Sequence, residues 1–270
     1  MSNEENQYDR QSFLGPKAQQ IFTTATVGVI GAGGGGSHII QQLAHLGFQN
    51  YVVFDPQTID RTNLNRLVGG RKNDVRRQRP KICIATRTIK GIQPKAHVRA
   101  FRSLWMEEID AFRSCDLIFA GVDSYKARHE IETSARRFLI PVVDVGMDVH
   151  DLGEGKYAMS GQVILSLPDY PCMTCMGFID EAKLTQEARR YGSAGSVPQV
   201  VWSNGVLASL AVGIGVELMT NWTKSRLPPL YLAYDGNRGT VQSRPILELL
   251  NTACPHFPAG RVGDPVLEAI

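Results

Sequence analysis

Gly31, Gly33 and Gly36 stand at G-x-G-x-x-G spacing, directly after a short apolar run, Val27 to Ile30, and directly before a helical pattern, Ile39 to Leu46. One glycine turns the chain sharply, one lets the backbone approach a phosphate, and one lets helix and strand pack closely. Gly34 lies in the same loop. The free N–H groups and positive dipole end of the helix then face an anion. Asp55 closes the next apolar run, Tyr51 to Phe54, at about the 20-residue offset that suits a ribose hydroxyl. Taken alone, this set indicates a nucleotide and fits a nicotinamide dehydrogenase equally well.

Further residues narrow the chemistry. Arg10, Arg66 and Lys81 could supply positive charge around a triphosphate, and Asp123 ends an apolar strand pattern. A carboxylate there could hold Mg²⁺, which takes hard oxygen ligands and keeps several waters. Such a site suits activation of a carboxylate, in which the carboxylate attacks the α-phosphate of ATP and pyrophosphate leaves. Catalysis of that step is mainly positioning and charge neutralisation, whereas hydride transfer needs no such group of cations. Simpler readings stand beside this one. Arg10 or Arg66 alone could be a solvated surface cation, and Asp123 could cap the helical pattern Tyr125–Phe138. The basic run from Arg71 to Lys81 could be a solvated rim of the phosphate site or a nonspecific polyanion contact. Lys81 stands apart, because a cation at the start of a helix opposes the dipole and local stability does not explain it. Cys172-x-x-Cys175 alone leaves redox, metal and core roles open.

The elements that must position these residues alternate. A polar loop, Gln57 to Arg79, is too long for a routine connection and reads as a functional crossover. Pro80 starts a helix with Ile82, Ala85 and Ile89 on one face, ending near Gly91. Next come a strand at His97–Phe101, a helix near Leu104–Phe112, the strand Leu117–Ala120, the helix Tyr125–Phe138 and the strand Pro141–Asp144. This predicts an α/β, doubly wound, mainly parallel Rossmann-like sheet, with ligands outside the carboxyl ends of its strands. Gly31, Asp55 and Asp123 all fall there. The appended C-terminal part holds a strand at Gly161–Leu167, a polar helix at Glu181–Arg190, a long apolar helix at Val200–Trp222 and a hairpin, Leu230–Asp235 with Thr240–Pro245. The organisation expected is an N-terminal arm (1–24), a nucleotide-binding half (25–160) and a C-terminal half of the same domain (161–270).

Composition excludes little. Of 270 residues 43% are apolar and 20% charged, and a formal charge of +3 gives no global pointer to nucleic acid or membrane. No apolar run approaches the roughly 20 residues that cross a bilayer, and the acidic start, Met-Ser-Asn-Glu-Glu-Asn, lacks a signal-peptide layout. A cytoplasmic location is expected. Five cysteines do not make a disulfide framework in a chain of this length. Cys83 and Cys115 read as buried structural thiols.

The order Tyr8-x-Arg10-Gln11, glycine loop, Asp55, Asn63-Leu-Asn-Arg66, Arg79-Pro-Lys81, Asp123, Cys172-x-x-Cys175 resembles the ThiF/MoeB/HesA family, bacterial relatives of ubiquitin-activating enzymes, over roughly residues 8 to 257. The resemblance implies that Asp55 binds ribose, that Asn63, Arg66 and Lys81 contact phosphates, and that Asp123 holds Mg²⁺. It implies that Arg10 reaches the γ-phosphate across the interface of a homodimer, and makes Arg128 a more remote candidate. The family closes a structural zinc site with a second C-x-x-C. Here Cys254-Pro-His-Phe257 stands in its place, and His256 could complete a Cys₃His set with Cys172, Cys175 and Cys254, which zinc accepts. Many relatives carry a transfer cysteine before the long apolar helix, whereas Arg190-Tyr-Gly-Ser-Ala-Gly-Ser196 has none.

The expectation is therefore an ATP- and Mg²⁺-dependent adenylyltransferase without its own transfer cysteine, forming a homodimer. Its partner would be a small ubiquitin-like or sulfur-carrier protein with a glycine-rich C-terminus. The alternatives are adenylation of another carboxylate, on a ribosomal peptide or a tRNA-borne group, a nicotinamide dehydrogenase, or a catalytically silent binding module.

Overall fold

The computed structural model describes residues 7–190, 198–244 and 254–258. Runs of Val, Ile, Leu and Phe make buried central parallel strands, as expected where helices cover both faces of a sheet, and a partly exposed parallel strand, His97–Phe101, forms the edge. These are β1 (Thr26–Ile30), β2 (Asn50–Phe54), β3 (His97–Phe101), β4 (Leu117–Ala120) and the start of β5 (Val142–Gly153). β6 (Lys156–Ser166), β7 (Tyr231–Asp235) and β8 (Thr240–Ser243) continue the same sheet antiparallel. The strand order is β3-β2-β1-β4-β5-β6-β7-β8. The order in which successive parallel strands are added reverses between β1 and β4, the place where such sheets open a crevice.

Helices are α1 (Ala18–Thr24), α2 (Gly34–Leu46), α3 (Lys72–Arg76), α4 (Lys81–Ile92), α5 (Ile109–Arg113), α6 (Tyr125–Arg137), α7 (Glu181–Arg190) and α8 (Val201–Thr220). Side-chain alternation along the strands divides the core. Val27, Val29, Val53 and Phe119 face Ile39 and Leu43 of α2, Ile89 of α4 and Ala211 of α8. Ile30, Val52, Phe54 and Ile118 face Phe112 of α5 and Ile131 and Ala135 of α6. Ile30 pairs in register with both Phe54 and Ala120. The carboxyl ends of β1, β2 and β4 are therefore level, which brings Gly31, Asp55 and the Gly121–Asp123 segment side by side.

Several expectations need correction. β5 runs to Gly153, well past Asp144, and β6 begins at Lys156. This added hairpin is exposed on both faces toward its tip, so it carries no apolar alternation to read. The helix near Leu104–Phe112 divides into a 3₁₀ turn, Trp105–Glu108, and α5. The long loop after β2 holds a 3₁₀ turn, Arg61–Asn63, and α3. α8 is, among the described residues, the one helix long and apolar enough to cross a membrane, although no apolar run of that length was expected. Its composition reflects burial on the sheet, where Leu207, Ala208 and Ala211 are covered and Gly215 leaves room for the Phe119 ring. Cys115 is buried as expected, but Cys83 is exposed, because it points off the Ile82–Ala85–Ile89 face of α4.

Candidate active site and cysteine cluster

A cavity of about 1050 Å³ opens at the carboxyl ends of β1, β2 and β4, lined by Gly31, Gly33, Gly34, Asp55, Asn63, Arg66, Lys81 and Asp123 among others. The glycines divide their work as their spacing suggests. Gly31 has φ +87°, and a Cβ there would lie 2.5 Å from the Gly121 carbonyl oxygen. A Cβ at Gly36 would overlap the Gly31 carbonyl oxygen, so this glycine serves helix–strand packing and stays off the cavity wall. Gly33 faces open space, leaving the start of α2 accessible to an anion.

Asp55 is buried, accepting the Ala32 N–H on Oδ2 and the Gln57 N–H on Oδ1, both at 2.8 Å. Burial pushes its carboxyl above the usual range, and the Lys81 charge and the two N–H donors oppose that rise. Lys81 is buried at the start of α4 and donates from Nζ to Gln57 Oε1 at 2.6 Å. Asn63 is buried and accepts the Asp60 N–H at 3.2 Å in a reciprocal capping pair, so its carbonyl braces the crossover loop. Arg66 is half-buried and donates from Nη1 to Thr62 O at 2.7 Å and Asn65 Oδ1 at 3.0 Å. Asp123 is exposed to the cavity, and Gln199 Nε2 reaches its Oδ1 at 3.4 Å. It does not cap α6, whose cap is Ser124, accepting the Ala127 N–H at 3.0 Å. A carboxylate so little engaged offers hard oxygen lone pairs to a divalent cation.

Arg10 is exposed on the 3₁₀ segment Asp9–Leu14 and does not line the cavity of its own chain. Arg128 is buried beneath the site, paired with Asp144 at 2.6 Å and donating to Val122 O at 2.5 Å. Burial pushes the Asp144 carboxyl up to about 6 even with Arg128 pulling it down. Because Val122 precedes Asp123, this pair fixes the backbone that presents Asp123. Sequence reasoning missed Gln57, Gln199, Asn204 and Glu187, which also line the cavity. No local motif marks them.

Away from the cavity, Cys172, Cys175, Cys254 and His256 gather with all ligand atoms within 4.8 Å. The Sγ–Sγ separations are 3.7 Å for Cys172–Cys175 and 3.6 Å for Cys175–Cys254, and His256 Nδ1 lies 3.5 and 3.2 Å from Cys172 and Cys175. Tetrahedral zinc with Zn–S bonds of about 2.3 Å needs S···S edges of about 3.8 Å, so the donor set fits. Phe257 stands where a fourth cysteine was expected, and the Arg136 guanidinium lies 5.1 Å from its ring centroid. Arg136 also donates to Tyr170 O and Pro171 O, and Glu132 accepts the Met173 N–H at 2.9 Å. The turn is thus braced by buried charges of α6.

A Rossmann-like crevice, a glycine loop on a helix start, Lys81 and Arg66 on its wall and an exposed carboxylate make this an α/β protein with a candidate nucleotide site. The chain belongs to the ThiF family, whose model matches residues 5–256. It is 29% identical over 167 residues to the SAMP-activating enzyme E1 of Haloferax volcanii, covering 60% of this chain and 57% of that one. It is 27% identical over 176 residues to a sulfur carrier protein adenylyltransferase of Thermus thermophilus, 63% of each. The chain thus spans less than two thirds of these relatives. Among solved structures, E. coli MccB with ATP aligns at TM-score 0.71 and 18% identity, over 88% of this chain and 71% of that one. PaaA aligns at 0.70 and 20%, over 90% and 84%. At such identities the likeness is one of fold.

Proposed function

We propose that this chain adenylates the C-terminal carboxylate of a small ubiquitin-like or sulfur-carrier protein with a glycine-rich tail. The observation that carries the reading is the meeting of the glycine loop, Asp55, Arg66, Lys81 and Asp123 in one cavity. At about 1050 Å³ it lies just above the roughly 300–1,000 Å³ of small-molecule sites, leaving space for a second reactant. A carboxylate oxygen attacks the α-phosphorus of ATP, the bond from that phosphorus to the bridging oxygen breaks, and pyrophosphate leaves. The start of α2, Lys81 and Arg66 bind and orient the phosphates, and Asp55 takes the ribose. Asp123 would hold Mg²⁺, which supplies charge neutralisation at the phosphates. Arg10, outside its own cavity, acts from a second copy of the chain. Zinc in the Cys₃His cluster would tie the Cys254–His256 segment to the Cys172 turn.

The segment expected to carry a transfer cysteine in many relatives, around Tyr191–Ser193, lies outside the described residues. Its sequence contains no thiol, and Cys83 does not line the cavity. Reaction therefore stops at the acyl-adenylate. The test is mass spectrometry after incubation with ATP, Mg²⁺ and synthetic C-terminal peptides, one ending in Gly-Gly and others in different residues. An AMP adduct on the Gly-Gly peptide without a thiol-sensitive enzyme adduct supports the reading. An adduct abolished by Cys83→Ser or Cys115→Ser, or modification of another peptide alone, overturns its finer part.

A further inference from the structure

The first turn of α6 is closed by a side chain from far along the chain. Glu187 of α7 accepts the Tyr125 N–H on Oε1 at 2.9 Å and the Lys126 N–H on Oε2 at 3.0 Å. Tyr125 follows Asp123 by two residues, so this clasp sits on the cavity wall beside the exposed carboxylate. Leu184 and Glu187 line the cavity, while Glu181, Ala182, Thr185 and Gln186 are exposed.

Among the described residues, few contacts hold α7 down. Its root is firm, because Phe178 and Ile179 are buried and Asp180 Oδ1 accepts the Lys183 N–H at 2.7 Å. Among the described residues, the ties beyond the root are Leu184, which is half-buried, Glu187, and Lys183. Lys183 Nζ donates to Phe178 O at 2.7 Å and lies 5.7 Å from the Tyr125 ring centroid. Ten residues fall below the roughly 12–15 at which an isolated helix holds itself in water. Elements with few buried apolar contacts occupy the low-stability end of a fold, from which site-covering lids are drawn.

We propose that α7 is a lid over the acyl-substrate end of the cavity, with Glu187 as the latch that closes it onto the first turn of α6. The adenylation reading supplies only which reactant passes beneath it; the motion stands on the contacts above. Opening about the Asp180 root withdraws Leu184 from the wall and frees the Tyr125 and Lys126 N–H groups to water. Closing covers the place beside Asp123, where exclusion of water would protect an acyl-adenylate from hydrolysis. Glu187 is a positioning residue, acting through α6 and α7 rather than on the reacting atoms.

Amide hydrogen exchange on the full chain tests this without any substrate, so its outcome is separate from that of the adenylation test. In the wild type, the amides of Tyr125 and Lys126 should exchange together with those of Leu184–Glu187, about a hundredfold faster than Ile131 and Ala135 later in α6. Glu187→Gln should speed both groups about tenfold or more and leave Ile131 and Ala135 unchanged. Leu184→Ala should do the same with Glu187 still in place, since it loosens the lid and not the cap. Exchange of Tyr125 and Lys126 only at the rate of Ile131, or no response of those amides to Leu184→Ala, would show a fixed cap and overturn the lid.

Discussion

Asp55 and Ala32 are joined by a 2.8 Å hydrogen bond that ties the carboxyl end of β2 to the glycine loop after β1. The same carboxylate holds Gln57, whose side chain in turn accepts from Lys81. Three elements that reach the cavity from separate parts of the chain are thereby linked through one buried acid. Asp55→Ala leaves the Ala32 and Gln57 N–H groups without their acceptor, a loss of about 1–3 kcal/mol. Calorimetric titration should show ATP binding weakened by about tenfold or more, and chemical denaturation should show the stability loss. Unchanged affinity would mean that the loop needs no such anchor.

The crossover depends on another buried acid. Asp74 is paired with Arg79 at 2.9 Å and Arg87 at 2.7 Å, and hydrogen bonding from Arg87 holds its carboxyl below the usual range. A depressed folded value means that the stabilisation is present above the ordinary aspartate value of about 3.9 and is lost as pH falls through the folded value. Asp74→Asn should cost about 1–3 kcal/mol at neutral pH by removing a charged acceptor from two partly solvated arginines. The difference from wild type should shrink as pH falls below 4. Urea unfolding at several pH values measures both, and a pH-independent difference would contradict the charge argument.

The cysteine cluster makes a third prediction. Protein purified without chelators should carry one zinc per chain by elemental analysis, lost in Cys172→Ser and Cys254→Ser alike, with a lower thermal midpoint. His256→Ala should retain the metal only weakly. Metal-free wild-type protein would leave the cluster as a packing feature.

Much of the cavity was legible in the sequence, for reasons the fold makes plain. Gly31, Asp55 and Asp123 each follow an apolar strand, and parallel strands in register bring their carboxyl ends to one level. Lys81 was marked by its unfavourable place at a helix start. Glu187, Gln199 and Asn204 were not legible, because Glu187 and Asn204 reach the cavity from α7 and α8 and Gln199 from the segment before α8, whose docking only the tertiary structure determines. Cys83 shows the limit of a helical pattern, since an amphipathic helix does not say on which side of its stripe a given thiol lies. The far ends of β5 and β6 are exposed on both faces, so neither apolar alternation nor a buried run announces them.

Arg10 makes the fourth prediction. If it serves the cavity of a second copy, mixing Arg10→Ala and Asp123→Ala subunits should restore activity, with one working site in each mixed dimer. Fully active monomers in sedimentation would contradict this arrangement.

The central claim is tested most directly by ATP–pyrophosphate exchange, in which labelled pyrophosphate enters ATP only when a carboxylate substrate is adenylated reversibly. With ATP, Mg²⁺ and a carrier protein or peptide ending in Gly-Gly, the wild type should exchange and Asp123→Ala should fall by about a hundredfold or more. Equal exchange by wild type and Asp123→Ala would contradict the role given to Asp123, and absence of exchange with every carboxylate partner supplied would contradict adenylation itself.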